Sequence, residues 1–210
     1  MAIPVTLIWP GVDPSFIASL QSNGAASLLN LKNTVIKNFG RTITLTSAFN
    51  NSGVNFTITG TDIYGAPATT TLAGPNANTV ETSQDFHTIT SIAASGGFTA
   101  VTAGIGTGGV SIWVVINPLC IQSQTSLNVH LIGGAVTYTI LRTAIDFNQY
   151  PFPPSVSIYS FQIDPSLTDA TTSQAFEMTI PSTGVQLVME RNPGVNIGSL
   201  AFTVLQQGIK

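Results

Sequence analysis

Glu81 with Asp85, and Asp164 with Asp169, are the closest carboxylate pairs in a chain of 210 residues that has nine acidic side chains in all. Paired carboxylates can act as acid and base in glycoside cleavage, which needs them about 5–9.5 Å apart across a sugar cleft. Both pairs lie in turn-like sequence with few aromatic platforms nearby, so they do not point to a hydrolase. The two histidines are His87 and His130. Asp85 could orient the His87 imidazole, but residues two apart on a strand share a face by geometry alone. His130 alternates between Val129 and Leu131 as a polar strand position. Neither spacing supplies the converging partners that a nucleophile or a metal requires.

The run Gly104-Ile105-Gly106-Thr107-Gly108-Gly109 has the glycine content of a phosphate loop. Such a loop must open directly into a helix, whose N-terminal amides hold the phosphate. Here Val110 to Val115 reads as a strand, and the glycines are expected to form a flexible turn between domains. Asp62, after Thr-Gly-Thr, and Asp146 could offer oxygens to Ca²⁺. No loop of alternating Asp and Asn supports this, and Asp62 is expected to bond its own turn. Asn55-Phe56-Thr57 matches a glycosylation acceptor, which without a secretion signal is a coincidence of strand composition. Cys120 stands alone between Leu119 and Ile121, which excludes an intrachain disulfide or a cysteine metal cluster and suits a buried thiol. The expectation is therefore no catalytic residue, no cofactor and no metal: not an enzyme.

The elements that would position any of these groups are strands. Charged residues are 7% of the chain against about 25% in an average domain. Apolar residues remain at 43%, enough to bury a core, so the chain is expected to fold rather than stay disordered. Six basic residues and a net charge of −3 cannot make a phosphate-tracking stripe, and direct nucleic-acid binding is not expected. Mean hydropathy is +0.35, yet the most apolar run, Val110 to Ile121, is broken by Asn117 and Pro118. It falls short of the about 20 residues a membrane span needs. The opening MAIPVTLIWP has no basic leader and carries Pro4 and Pro10, so no secretory signal is expected and the chain should fold in a cytoplasm.

Residues 1–40 are expected as an N-terminal extended arm able to pack on a neighbouring subunit. Ser15 to Leu31 has the one helical spacing, interrupted by Asn23-Gly24. From Arg41 the period is two: Ile43 and Leu45 face one way and Thr42, Thr44 and Thr46 the other, and Val54, Phe56 and Ile58 alternate with Asn55, Thr57 and Thr59. Ala48 to Gly53 supplies a turn, and Tyr64-Gly65 a hairpin tip. Ala68 to Leu72, Phe86 to Ile92 and Phe98 to Ala103 continue the strands. A second set follows at Ser111–Ile116, Ser126–Ile132, Ala135–Arg142, Ser155–Gln162, Ala175–Ile180, Gly184–Glu190 and Ser199–Gln206. The fold class is all-β, with two sandwich-like modules of jelly-roll or immunoglobulin-like kind at 41–110 and 111–210. Thr82-Ser83-Gln84-Asp85-Phe86 echoes Thr172-Ser173-Gln174-Ala175-Phe176, and Phe56-Thr57-Ile58 echoes Tyr138-Thr139-Ile140. The offsets are 90 and 82 residues, which leaves duplication open.

Several phrases resemble a module of tailed-bacteriophage virion proteins: Arg41-Thr42-Ile43-Thr44, Asn51-Ser52-Gly53, Thr59-Gly60-Thr61-Asp62, Ala73-Gly74-Pro75-Asn76-Ala77 and Phe86-His87-Thr88-Ile89-Thr90-Ser91-Ile92. The second half is similar to a partner module through Val136 to Ile140, Gly184 to Leu187 and Val204 to Gly208. Thr70-Thr71 departs from the pattern, in which a Glu is common, so that carboxylate is not required chemistry. The resemblance implies a virion component assembled in the host cytoplasm, foremost a capsid decoration or cement protein. Its partners would be the major capsid protein or other virion proteins, and it would form a homo-oligomer. A head-to-tail connector or tail protein is the alternative within that class. From another class, a carbohydrate-binding adsorption module remains open, since sandwiches host such sites. Trp9, Phe16, Tyr64, Tyr150 and Phe152 are the interface candidates if exposed, and caps on the core if not.

Overall fold

The structure is a computed structural model and describes residues 3–116, 125–143, 161–162, 169–178, 183–192 and 198–206. Among the described residues there is no helix, and the chain is all-β. It divides into two compact units. One, the inserted unit, is Val12–Gly109; the other, the flanking unit, is made of Met1–Gly11 and Val110–Lys210. The first strand, β1 (Ile3–Trp9), belongs to the flanking unit.

The inserted unit contains β2 (Asp13–Asn23), β3 (Ser27–Leu28), β4 (Phe39–Thr46), β5 (Asn55–Thr61), β6 (Pro67–Ala73), β7 (Thr79–Phe86), β8 (Thr88–Ala94) and β9 (Phe98–Ser111), whose last two residues pass into the flanking unit. They pair as β2-β9-β4-β7 and as β3-β8-β5-β6. Alternation on β5 sends Phe56 and Ile58 inward, both 0% exposed, into a core that also holds Ile43 and Leu45 of β4, Ile92 of β8 and Phe98 of β9. The Phe56 and Phe98 rings touch edge to face with centroids 5.6 Å apart, which joins the two sheets across the core. Each such side chain contributes roughly 1.5–3 kcal/mol on burial.

The flanking unit adds β10 (Val114–Val115), β11 (Thr125–Gly133), β12 (Tyr138–Thr143), β13 (Phe161–Gln162), β14 (Gln174–Met178), β15 (Gly184–Met189) and β16 (Ser199–Gln206). They pair as β1-β16-β11-β14 and as β10-β15-β12-β13. Its core holds Leu7, Trp9, Leu127, Val129, Tyr138, Ile140, Leu187 and Phe202. Ser111, at the end of β9, accepts Gln186 Nε2 on its carbonyl at 2.7 Å and the Leu187 amide on its hydroxyl at 3.0 Å, so this residue is fixed to β15.

Strand for strand the two units share one topology. In chain order β2 to β9 take the places that β1 and then β10 to β16 take in the other unit, and both sheet orders repeat. The two sequence echoes fall on corresponding strands, β5 with β12 and β7 with β14. Their unequal offsets reflect connections of different length. The inserted unit interrupts the flanking one after its first strand. Asp13 pairs with Ile105, so the inserted unit's two ends emerge near each other, the arrangement that lets a domain sit inside another chain segment.

Several expectations change. Residues 1–40 are not an arm apart from the modules: Ile3–Trp9 pairs with β16, and Asp13–Asn23 with β9. The helical spacing of Ser15 to Leu31 gives way to β2 and β3, because Ile17 and Ala18 find a core beside β9 and Asn23-Gly24 lets the chain turn to the second sheet. The Gly104 to Gly109 run is a buried part of β9, not a flexible turn. Phe86 to Ile92 is two strands, since the chain turns at His87 from one sheet to the other. The compact units part after Gly109, and the first eleven residues go with the C-terminal portion.

Candidate functional site

Among the described residues, a dense polar constellation lies in the inserted unit, where β4, β7 and β9 run side by side. Arg41 on β4 is 0% exposed and donates through Nη2 to the Gly106 carbonyl of β9. Glu81 on β7 reaches across to the same segment. Its Oε1 accepts the Thr42 hydroxyl, the Thr107 amide at 2.8 Å, the Thr107 hydroxyl at 3.1 Å and the Gly108 amide at 3.4 Å. A register shift between Thr42 and Thr44 opens the β4–β7 ladder at this point, and Thr82 fills the gap by accepting the Ile43 amide at 2.9 Å. Glycine at 106 leaves the room: an added Cβ would stand 2.6 Å from the Glu81 carboxyl carbon.

Burial sets the electrostatics. Desolvation pulls the Arg41 guanidinium down to about 9, against the pull of Glu81 and Asp85. Desolvation also pushes the Asp85 carboxyl up to about 6, opposed by Arg41 and assisted by repulsion from Glu81. Two carboxylates and one guanidinium therefore share a poorly solvated place. When Phe86 is matched with Phe176, the register puts Leu127 where Arg41 stands and Ala175 where Asp85 stands. The flanking unit builds the same topology without these charges. The bonds of Arg41 to the Gly106 carbonyl and of Glu81 to the Thr107 and Gly108 amides make the cluster a fastening of the Gly-rich part of β9.

Among the described residues the other chemical candidates His87, Asp62 and Asp169 are each held locally. His87 Nδ1 lies 3.0 Å from the Phe39 carbonyl, which holds the ring from the backbone, and His130 is exposed on β11. Asp62 Oδ1 accepts the amides of Tyr64 at 2.8 Å and Ala66 at 2.9 Å, closing the hairpin whose Gly65 has φ 84°. Asp169 bonds with Glu190, and that hydrogen bond, with desolvation and repulsion, raises the Glu190 carboxyl. Asp164, Asp146 and Cys120 lie outside the described residues. Among the described residues no three His, Cys, Asp or Glu side chains could hold a metal together, and no helix is long and apolar enough to cross a membrane.

The surfaces are more distinctive. On the outward side of β3-β8-β5-β6, Leu28, Ala93, Thr57 and Thr71 form one cross-strand row, and Ser91, Thr59 and Thr69 the next. Thr57 and Thr71 hydroxyls bond at 3.0 Å, Thr61 and Thr88 at 2.7 Å. None of these four strands contains a charged residue. Of the interface candidates, Trp9 is fully buried in the flanking unit's core, because alternation on β1 points it inward with Leu7. Phe16 and Tyr64 are half-buried, on β2 and at the β5–β6 tip. Tyr150 and Phe152 lie outside the described residues. The large exposed apolar groups of the inserted unit are Leu20, Leu28, Val35 and Phe49. Phe49 was legible as an aromatic inside the AFNNSG turn.

What the described residues define is an all-β protein of two units with like strand order, the inserted one presenting a neutral, hydroxyl-bearing sheet face. Comparison with known proteins gives no matching family model and no matching curated protein.

Proposed function

We propose that this protein is a non-enzymatic structural component of a tailed-phage virion, foremost a capsid cement or decoration protein that fastens neighbouring capsid subunits. The observation that carries the reading is the charge-free outward face of β3-β8-β5-β6, lined by Thr57, Thr59, Thr69, Thr71, Ser91 and Ala93. Covering neutral hydroxyls and methyls against another protein avoids the desolvation cost of burying charge. The phrases that resemble phage virion proteins support it too, and several of them lie on this sheet.

A cement protein binds the assembled shell and not its separated parts, so it stabilises the shell by mass action. Particles assembled with and without the protein should differ in the temperature at which they release DNA, the protein-free particles opening first. Equal release temperatures would remove the cement reading. A ring of few copies at one vertex, seen by electron microscopy, would favour the connector reading instead.

A further inference from the structure

One end of the inserted unit gathers four connections: residues 24–26, 47–54, 74–78 and 95–97. They meet because Thr46 pairs with Thr79, Asn55 with Ala73, Phe56 and Ser27 with Ala94, and Asn23 with Phe98. Backbone bonds tie the loops together: Ala77 donates to the Phe49 carbonyl at 3.0 Å, Asn51 to that of Pro75 at 2.8 Å, and Ser47 to that of Asn78 at 3.1 Å. The buried Asn51 side chain clamps Thr99 from both sides, its Nδ2 donating to the carbonyl at 3.0 Å and its Oδ1 accepting the amide at 2.8 Å.

Three exposed asparagines at this end have their carbonyl oxygens committed to their own turns. Asn23 Oδ1 accepts the Ala25 amide, Asn50 Oδ1 the Ser52 amide and hydroxyl, and Asn78 Oδ1 the Asn76 amide. The orientation of each amide is thereby fixed, and each Nδ2 is left as a donor. Phe49, 54% exposed, is the one large apolar side chain exposed on these loops. No residue of the four loops is charged.

We propose that this loop end, centred on Phe49 with Asn23, Asn50 and Asn78, is a binding site for an uncharged glycan. The inference is independent of the virion reading. Oriented amide donors suit the hydroxyl and ring oxygens of a sugar, and an exposed aromatic ring offers a surface for its C–H face. The absence of charge matches a neutral ligand. A protein partner fits less well, because stable protein interfaces cover roughly 800 Å² a side around several large anchors, and these loops expose one. Fixing the amides beforehand reduces the ordering cost of binding.

The test is titration of the intact protein with oligosaccharides of dextran, mannan, xylan and cellulose, with alginate as the acidic control, followed by NMR. At least one neutral oligosaccharide should bind with Kd below about 1 mM and shift resonances of the four loops. Phe49→Ala, at an exposed position, should weaken it by about tenfold or more while leaving the spectrum of the core unchanged, and Asn50→Ala should weaken it as well. Failure of all four neutral glycans to bind, equal binding by Phe49→Ala, or preference for alginate would each overturn the proposal. Loop resonances that move on adding a partner protein and not a glycan would overturn it in favour of a protein interface.

Discussion

Phe56 of β5 and Tyr138 of β12 occupy the same place in their two sandwiches. Each is 0% exposed, and each lies opposite the end of the neighbouring strand, Phe56 against Ala94 and Tyr138 against Met189. Burial pushes the Tyr138 phenol up to about 12, and its hydroxyl donates to the Thr172 carbonyl at 2.7 Å. The aromatic ring meets the packing requirement shared by both units; the hydroxyl is an addition that one of them uses.

The inserted unit has its own core, and its ends emerge side by side. A polypeptide of residues 12–109 should therefore fold alone, with dispersed amide resonances and one cooperative thermal transition. A spectrum of a disordered chain would show that the unit depends on the rest of the protein.

Arg41 should be costly to remove. Arg41→Met leaves Glu81 and Asp85 facing each other without their cation and should destabilise the inserted unit by about 3–5 kcal/mol in urea unfolding. Adding Glu81→Gln and Asp85→Asn should recover part of the loss, since the flanking unit builds this position with Leu127 and Ala175. No recovery in the triple variant would show that the hydrogen bonds of Glu81, rather than the charge balance, hold the strand.

Asp85 gives the pH dependence its sign. Its carboxyl lies at about 6 in the fold against 3.8 as the reference, so the folded state binds the proton more tightly than the unfolded one. The stability it contributes is complete below the unfolded value and is lost as pH rises through the folded one. Asp85→Asn should remove a decline of about 1–3 kcal/mol between roughly pH 4 and pH 7. Identical pH profiles for the wild type and the variant would contradict this.

Ala77 and Ala100 have φ of 52° and 49°, in the left-handed region. An L side chain there costs roughly 1–2 kcal/mol, which glycine avoids at some loss of unfolded-state entropy. Ala77→Gly and Ala100→Gly should each raise stability by about 0.5–1 kcal/mol, read as a shift of the urea midpoint.

Fold class was legible because period-two alternation is local: the Phe56, Ile58 and Thr57, Thr59 pattern needs no partner to be recognised. Most strand positions followed from it. β7 was harder, since Thr79 to Phe86 is polar almost throughout and earns its place through pairing with β4. The helical spacing at Ser15 to Leu31 misled because β2 is irregular, with register shifts against β9 that break alternation. The insertion could not be read locally, since β1 meets its partner β16 only across the whole chain. Glu81 and Asp85 were visible as a pair through their spacing, but their convergence with Arg41 depends on the β4–β7 irregularity and on Gly106. Trp9 illustrates the limit of listing aromatics: exposure is decided by the partner strand.

The proposed role as a building block of a phage particle is decided by counting the protein in purified virions through quantitative mass spectrometry against the major capsid protein. The cement reading predicts many copies per particle, in fixed ratio to the capsid protein and retained through washing. Particles that contain none of it would overturn the proposed role.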